Sequence, residues 1–315
     1  MAVGKGETEM EIVKARTDKR EYKRVVLRNC LQVLLCAASM NVSVGYFSDP
    51  VGLEGLAHFL EHMLFYASEK YPLEDSYSKY ITEHGGSMNA FTTSDHTNFY
   101  FDVNSDCFED ALDRFAQFFI KPLMSADATM REIKAVDSEN QKNLLSDAWR
   151  MSQVPFNALP HLWGRLCIPL DSSMVVLNSA CYDPALYEGN WDTLEVRPKE
   201  KGLDTRLELI KLYEENYSAN LMNLVIYAKE SLDKIQCLVE DKFQEIRNKD
   251  RNCFSFPGQP CSSEHLQILV RSVPIKQGHK LNIVWPITPG ILHYKEAPCR
   301  YLGHLIGHEL EDAFR

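Results

Sequence analysis

The chain has 315 residues, 45% hydrophobic and 25% charged, which is material for two ordinary domains of roughly 150 residues each. Its formal net charge is −10, from 44 acidic against 34 basic residues. That balance argues against nucleic acid or an anionic membrane as the main partner, because both need clustered Lys and Arg.

In chain order, the first twenty residues are polar and charged, without the apolar stretch of a secretory signal. Val25 to Phe47 is rich in β-formers and far longer than the usual strand of about 5–6 residues. It must hold two strands, yet no Gly, Pro, Asn or Asp between Leu35 and Ala38 offers a turn. Asp49-Pro50 reads as a helix start, with Asp capping and Pro in the first turn, and the helix runs to about Tyr66. A second helix spans Tyr77–His84 and stops at Gly85-Gly86. Met88–Val103, rich in Phe, Thr and Tyr with a polar break at Ser94-Asp95, predicts a hairpin. Phe108, Ala111, Leu112, Phe115, Phe118 and Phe119 recur at helical spacing up to Pro122, and another helix covers Ala126–Trp149.

Val154–Gly189, with four prolines, matches neither the helical nor the strand pattern. Beyond it, Leu207–Tyr217 reads as a helix, Leu221–Ala228 as a strand and Ser231–Ile246 as an amphipathic helix. Phe254–Ser263 has linker composition. Leu266–Arg271 and Lys280–Trp285 read as strands, and Arg300–Phe314 as a helix. No apolar run approaches the roughly 20 residues of a membrane span. Nine scattered cysteines without a C-x-x-C pair fit a reducing compartment. With Ala313-Phe314-Arg315 not a peroxisomal address, the expected location is cytoplasmic.

The segment that carries chemistry is His58-Phe59-Leu60-Glu61-His62. On a helix His58 and His62 lie about 40° apart on one face, so both imidazoles can reach one ion. Glu61 lies about 60° from His58 on the side away from His62, where its carboxylate is near the ion without taking a ligand's place. The order H-x-x-E-H is the inverse of the H-E-x-x-H zinc motif. The bland alternative for the two histidines is a solvated or core-lining helix face. A catalytic zinc also needs a third protein ligand. Glu132 and Glu139 lie seven residues apart on the predicted helix Ala126–Trp149 and so share a face. Spacing alone leaves open which of them binds, or whether both belong to an acidic stripe with Asp127, Asp137 and Asp147.

Leu56–His62 also aligns with Leu302–His308 at a constant offset, with Gly307 where Glu61 stands. This reads as an internal repeat whose second copy has lost its acid/base group. A second zinc site at His304 and His308 is the weaker reading, because no third ligand follows.

GLEGLAHFLEHMLF (52–65), GGSMNAFTTSDHTNFYFDV (85–103) and REIKAVDSENQKNLLSDAWR (131–150) closely resemble the insulin-degrading enzyme (insulysin) branch of the pitrilysin-type metallopeptidases. The resemblance covers roughly Glu11–Gln153 and Asn190–Glu309. It implies an α+β fold, a pitrilysin-type metallopeptidase domain with a mixed sheet packed on helices, followed by the start of a homologous second domain. The domains would be 1–258, with 154–189 atypical, and 259–315. Carried over by position, His58, His62 and Glu139 match the ligands of one Zn2+ per chain and Glu61 matches the general base. Glu132 matches the acid that supports a ligand, and Asn89 and Ala90 lie on the strand to which substrate adds. The implied activity is zinc-dependent endopeptidase action on peptides. The implied partners are peptide substrates and either a C-terminal half or further copies of the chain, with no nucleic acid or membrane partner.

Three departures stand out. Leu35-Cys36-Ala37 replaces a polar turn, Val154–Gly189 replaces a short polar helical segment, and relatives continue well past residue 315 to form clamshells. An impaired peptidase is therefore expected of this chain alone. The rival reading is a zinc-binding but non-hydrolytic structural or regulatory chain, which would have no need of Glu61.

Overall fold

The structure is a computed structural model and describes residues 18–19, 21–34, 38–147, 149, 174–177, 188–252, 269–275, 281, 283, 293 and 295–307. It contains two compact units, Glu21–Gln277, and Gly278–Arg315 together with Met1–Arg20. The boundary expected at 258/259, the Lys280–Trp285 strand apart from Leu281 and Ile283, and the end of the last helix lie outside the described residues.

In the larger unit the β-rich run yields β1 (Arg24–Val26), β2 (Gln32–Leu34) and β3 (Ala38–Val42). Then come α1 (Leu56–Leu64), α2 (Ser76–Glu83), β4 (Ser87–Thr92), β5 (Thr97–Asp102), α3 (Phe108–Ile120) and α4 (Ala126–Leu144). β6 (Met174–Leu177) falls inside the stretch whose sequence matched no pattern. A π-helical turn, Asp192–Val196, leads into α5 (Arg197–Glu200), and α6 (Thr205–Asn216), β7 (Met222–Val225), α7 (Leu232–Phe243) and β8 (Leu269–Ser272) follow. The smaller unit contains α8 (Pro298–Gly307).

Six strands form one mixed sheet in the order β1-β2-β7-β3-β5-β4, and β6 pairs with β8 in a separate parallel ribbon. β2 and β3 do not pair with each other. β7 lies between them, parallel to β2 and antiparallel to β3, so that Leu34 and Ser39 both stand opposite Val225. No hairpin turn is needed between strands that flank a third, which accounts for the missing turn signal. The connecting residues 35–37 lie outside the described residues. β4 and β5 form the expected hairpin, and β4 ends the sheet with one edge unpaired by any other described strand.

Strand alternation selects the buried face. Ala38, Met40 and Val42 of β3, Thr97, Phe99 and Phe101 of β5, and Met222 and Leu224 of β7 are buried, with residues between them less so, as a period of two requires. Onto this face pack Phe115, Phe118 and Phe119 from the apolar stripe of α3. Phe65 meets Phe118 at 5.1 Å, and Tyr77 meets it at 4.8 Å, both edge to face. Aromatic pairs in this arrangement add about 0.5–1.5 kcal/mol beyond area burial.

α1 begins six residues later than Asp49-Pro50 suggests. Gly52 and Gly55 adopt φ of +87° and +91°, left-handed values that break a helix and that only glycine takes freely. Asp49 caps α1 nonetheless, from a distance. Its carboxylate accepts from Gly55 N (2.8 Å) and Ala57 N (2.7 Å), satisfying donors that a helix start leaves open. A Cβ on Gly55 would lie 2.1 Å from Gly189 Cα, so two backbones meet here with no room for a side chain. Gly55→Ala should therefore cost more than about 1 kcal/mol, read as a lower urea midpoint at unchanged slope. A midpoint equal to wild type would show that the Gly55–Gly189 approach can relax without cost.

Candidate metal centre

α1 is buried almost all round, and the only residue of Leu56–Leu64 not classed as buried is His62. One side packs against α4, whose buried stripe is Thr129, Ile133, Val136 and Asn140. Glu132 and Glu139 each precede a member of that stripe by one position, so both carboxylates emerge at the margin of the α1–α4 contact. The His58 and His62 rings sit 4.9 Å apart, nearly perpendicular.

Three donor atoms converge. Glu139 Oε2 lies 3.8 Å from His58 Nε2 and 3.5 Å from His62 Nε2, and the ligand atoms of the three residues fall within 4.8 Å of one another. Tetrahedral zinc with bonds of about 2.0 Å sets its ligand atoms about 3.3 Å apart. Glu139 Oε2 stands close to that spacing from both histidines, and the set as a whole has to draw inward to hold such an ion. The opposite ring nitrogens are held. His58 Nδ1 donates to the Glu188 carbonyl at 2.7 Å, and His62 Nδ1 lies 3.4 Å from Glu132 Oε2. Those partners leave both Nε2 atoms free for the common point, the usual arrangement behind a metal-binding histidine. Spacing had left Glu132 and Glu139 equivalent; in the structure Glu139 faces both Nε2 atoms and Glu132 faces the far side of His62.

Glu61 is buried and accepts a 2.5 Å hydrogen bond from Thr92 Oγ1 on β4. Burial raises its pKa, opposed by His58 and by the Thr92 bond. Glu139 is lowered by its hydrogen bond to His62. Burial pushes the His62 imidazole down, but Glu132 and Glu139 outweigh that and push it up to about 9. These groups line a cavity of about 410 Å³, with Asn89, Ala90 and Thr92 of β4 on one wall and Tyr46 and Glu188 on another. Among the described residues its lining includes Glu61, Glu132, Glu139, Glu188 and Asp75 and no Lys or Arg. Such a wall attracts a cation. Burial, then Glu188 and Glu61, raises the Tyr46 phenol well above its ordinary range, so it stays protonated.

All the residues singled out by motif thus meet at one cavity: His58, Glu61, His62, Asn89, Ala90, Glu132 and Glu139. Tyr46, Thr92 and Glu188 were missed. Thr92 was within reach of the sequence, because it follows Ala90 by two and shares its face of the strand. Glu188 carried no local signal. His304 is described but His308 is not, so the weaker second-site reading lies outside the described residues. Among the described residues, His58, His62 and Glu139 form the metal-capable group, and no helix is long and apolar enough to cross a membrane.

A sequence model of Insulinase (Peptidase family M16) matches residues 24–159, and one of the Peptidase M16 inactive domain matches residues 205–315. The chain belongs to the M16 peptidase family. It is 64% identical over 324 residues to the Arabidopsis thaliana protein "Insulin-degrading enzyme-like 1, peroxisomal", covering 99% of this chain and 31% of that relative. It is 43% identical over 306 residues to the Homo sapiens insulin-degrading enzyme, covering 95% of this chain and 28% of that relative. Among solved structures it is similar to the crystal structure of pitrilysin, with a TM-score of 0.67 and 31% identity, covering 82% of this chain and 26% of that one. The chain therefore spans about three-tenths of the length of these M16 relatives. A match to the family's inactive domain agrees with a second copy of the motif that has Gly307 in place of the acid.

Metal binding must displace the proton that His62 holds below about pH 9. Zinc affinity, measured by chelator competition, should rise about tenfold per pH unit from neutrality toward that value and flatten above it. A profile already flat at pH 7 would mean that His62 is neutral there.

Proposed function

We propose that the chain is the metal-bearing part of a zinc-dependent endopeptidase of insulysin type that hydrolyses extended peptides. What carries this reading is Glu61, a buried carboxylate beside three convergent metal donors and within a cavity walled by a strand edge. A site built only to hold an ion has no use for that fourth group.

His58, His62 and Glu139 would hold the ion, and Glu132 keeps His62 turned toward it. A bound zinc ion supplies Lewis acidity, which polarises a carbonyl and lets water ionise near neutral pH. Glu61, made more basic by burial and held by Thr92, takes the proton of the attacking water and delivers it to the leaving amine. The peptide lies along β4. Ala90 N–H donates to the Asn89 side chain at 2.9 Å rather than to β5, so it stands at the unpaired edge. Main-chain pairing there holds a peptide with little regard to its side chains, which suits substrates of varied sequence.

Among the described residues the cavity is open on the side where Glu139 is half exposed. Closure over a substrate excludes water and fixes geometry, and this polypeptide corresponds to about three-tenths of the length of its relatives. In a quenched-peptide assay this polypeptide should turn over at least tenfold more slowly than a full-length relative. Glu61→Gln should retain one zinc per chain while losing a further 10²- to 10⁴-fold, roughly the worth of a general base. Unchanged turnover in that variant would remove Glu61 from the mechanism.

Ala90→Pro deletes an edge donor without touching the metal donors. It should weaken peptide binding severalfold at constant zinc content. Equal peptide affinity, measured by fluorescence anisotropy, would rule out pairing along β4.

A further inference from the structure

Glu188 reaches the metal centre from beyond α4 with each of its polar ends engaged. Its carbonyl accepts from His58 Nδ1 at 2.7 Å. Its carboxylate accepts from Asn143 Nδ2 at 2.8 Å through one oxygen and from Trp149 Nε1 at 2.9 Å through the other. Asn143 lies one helical turn after Glu139 on α4, so the two residues share a face. One residue thus joins both ligand-bearing helices, α1 through its main chain and α4 through its side chain.

The backbone around it is held on both sides. Gly189 packs against Gly55 where no Cβ fits. Asn190 N donates to Thr193 Oγ1 and Thr193 N to Asn190 Oδ1, at 3.0 and 2.9 Å, while Trp191 N donates to Asp137 Oδ1 on α4 at 3.0 Å. Left without Asn143 and Trp149, the Glu188 carboxylate would stand in a cavity already lined by Glu61, Glu132 and Glu139. Like charges at short range in a poorly solvated site repel, and the residue would turn away, taking its carbonyl from His58.

We propose that Glu188 is a positioning residue of the metal centre: its carboxylate, clamped by Asn143 and Trp149, holds its own carbonyl on His58 Nδ1 and locks α1 and α4 in the register that brings His58 and Glu139 to one ion. This rests on the metal-centre reading above. Glu188 stands outside the convergent donor group of His58, His62 and Glu139, its carboxylate oxygens turned to Asn143 and Trp149. By holding the His58 proton on Nδ1, the carbonyl keeps Nε2 as the free donor.

The test uses the whole chain and Co2+ as the probe, with affinity from chelator competition and ligand geometry from the visible cobalt spectrum. Circular dichroism of the metal-free protein reports the fold. Glu188→Ala should bind cobalt 10- to 100-fold more weakly, the usual range for losing a group that orients a ligand, and should change the spectrum. Glu188→Gln keeps one acceptor and should fall between Glu188→Ala and wild type. Asn143→Ala should weaken binding in the wild-type background and add little in the Glu188→Ala background, because the two act as one unit. A folded Glu188→Ala protein with wild-type affinity and spectrum would overturn the proposal. If that variant does not fold, Asn143→Ala and Trp149→Phe decide. Weakened binding in either supports the clamp, and affinity within twofold of wild type in both overturns it. A wild-type chain that bound no cobalt would defeat the metal-centre reading itself, an outcome distinct from equal binding by wild type and variant.

Discussion

The meeting of two glycine backbones, Gly55 at the start of α1 and Gly189 beyond α4, is the contact on which the metal centre depends. A helix presents its first four amides without partners, and at α1 those amides are turned into a closely packed interior. Asp49 satisfies two of them from its own loop, which frees the remaining space for a second chain segment. Because neither glycine has a side chain, that segment comes close enough for the Glu188 carbonyl to reach His58. A methyl group at either position would hold the two apart. The geometry of the candidate metal donors on α1 is thus set by backbone approach at its first turn as much as by the histidines further along.

The residues of the site were legible in the sequence to the extent that their geometry is periodic. His58, Glu61 and His62 lie within two turns of one helix, and Glu132 and Glu139 within two turns of another, so a constant angle per residue places each set on a face. Which acid would bind was not legible, because that depends on the angle at which α4 crosses α1. The start of α1 was misjudged for a local reason. Asp-Pro has the chemistry of a helix cap, but Gly52 and Gly55 take left-handed backbone angles and delay the first turn. The run expected to hold two strands holds three, β1, β2 and β3, and the separation of β2 from β3 was not foreseen, since the strand between them comes from a distant part of the chain. Glu188 and β6 lie in a stretch with neither a period of two nor one of 3.6, and contacts made only in three dimensions leave no such trace.

Charge ties the site to its occupant. Among the described residues, four glutamates and an aspartate line the cavity, with no lysine or arginine beside them. Carboxylates crowded at one point repel, and a protonated His62, whose pKa Glu132 and Glu139 push up, offsets part of that cost. A divalent cation replaces that proton with two charges at the point where Glu139 and the two imidazoles meet. The same acidic wall therefore disfavours the empty, deprotonated site and favours the loaded one, so metal occupancy and the stability of the α1–α4 contact rise together.

The position of β7 in the sheet has a kinetic consequence. β3 finds one neighbour, β5, within about 60 residues, but its other neighbour, β7, is about 180 residues away. Pairing at that separation must first meet the entropy of closing a long loop, and sheets rich in such pairs fold slowly. During synthesis β3, β4 and β5 can assemble early, with α3 packed on them. β2 has no inner partner until residue 225 has emerged, and the Gly189 segment that completes the metal centre arrives only shortly before. The histidines are therefore made long before the cage around them closes, and for that interval the growing chain exposes a hydrophobic sheet edge that invites aggregation.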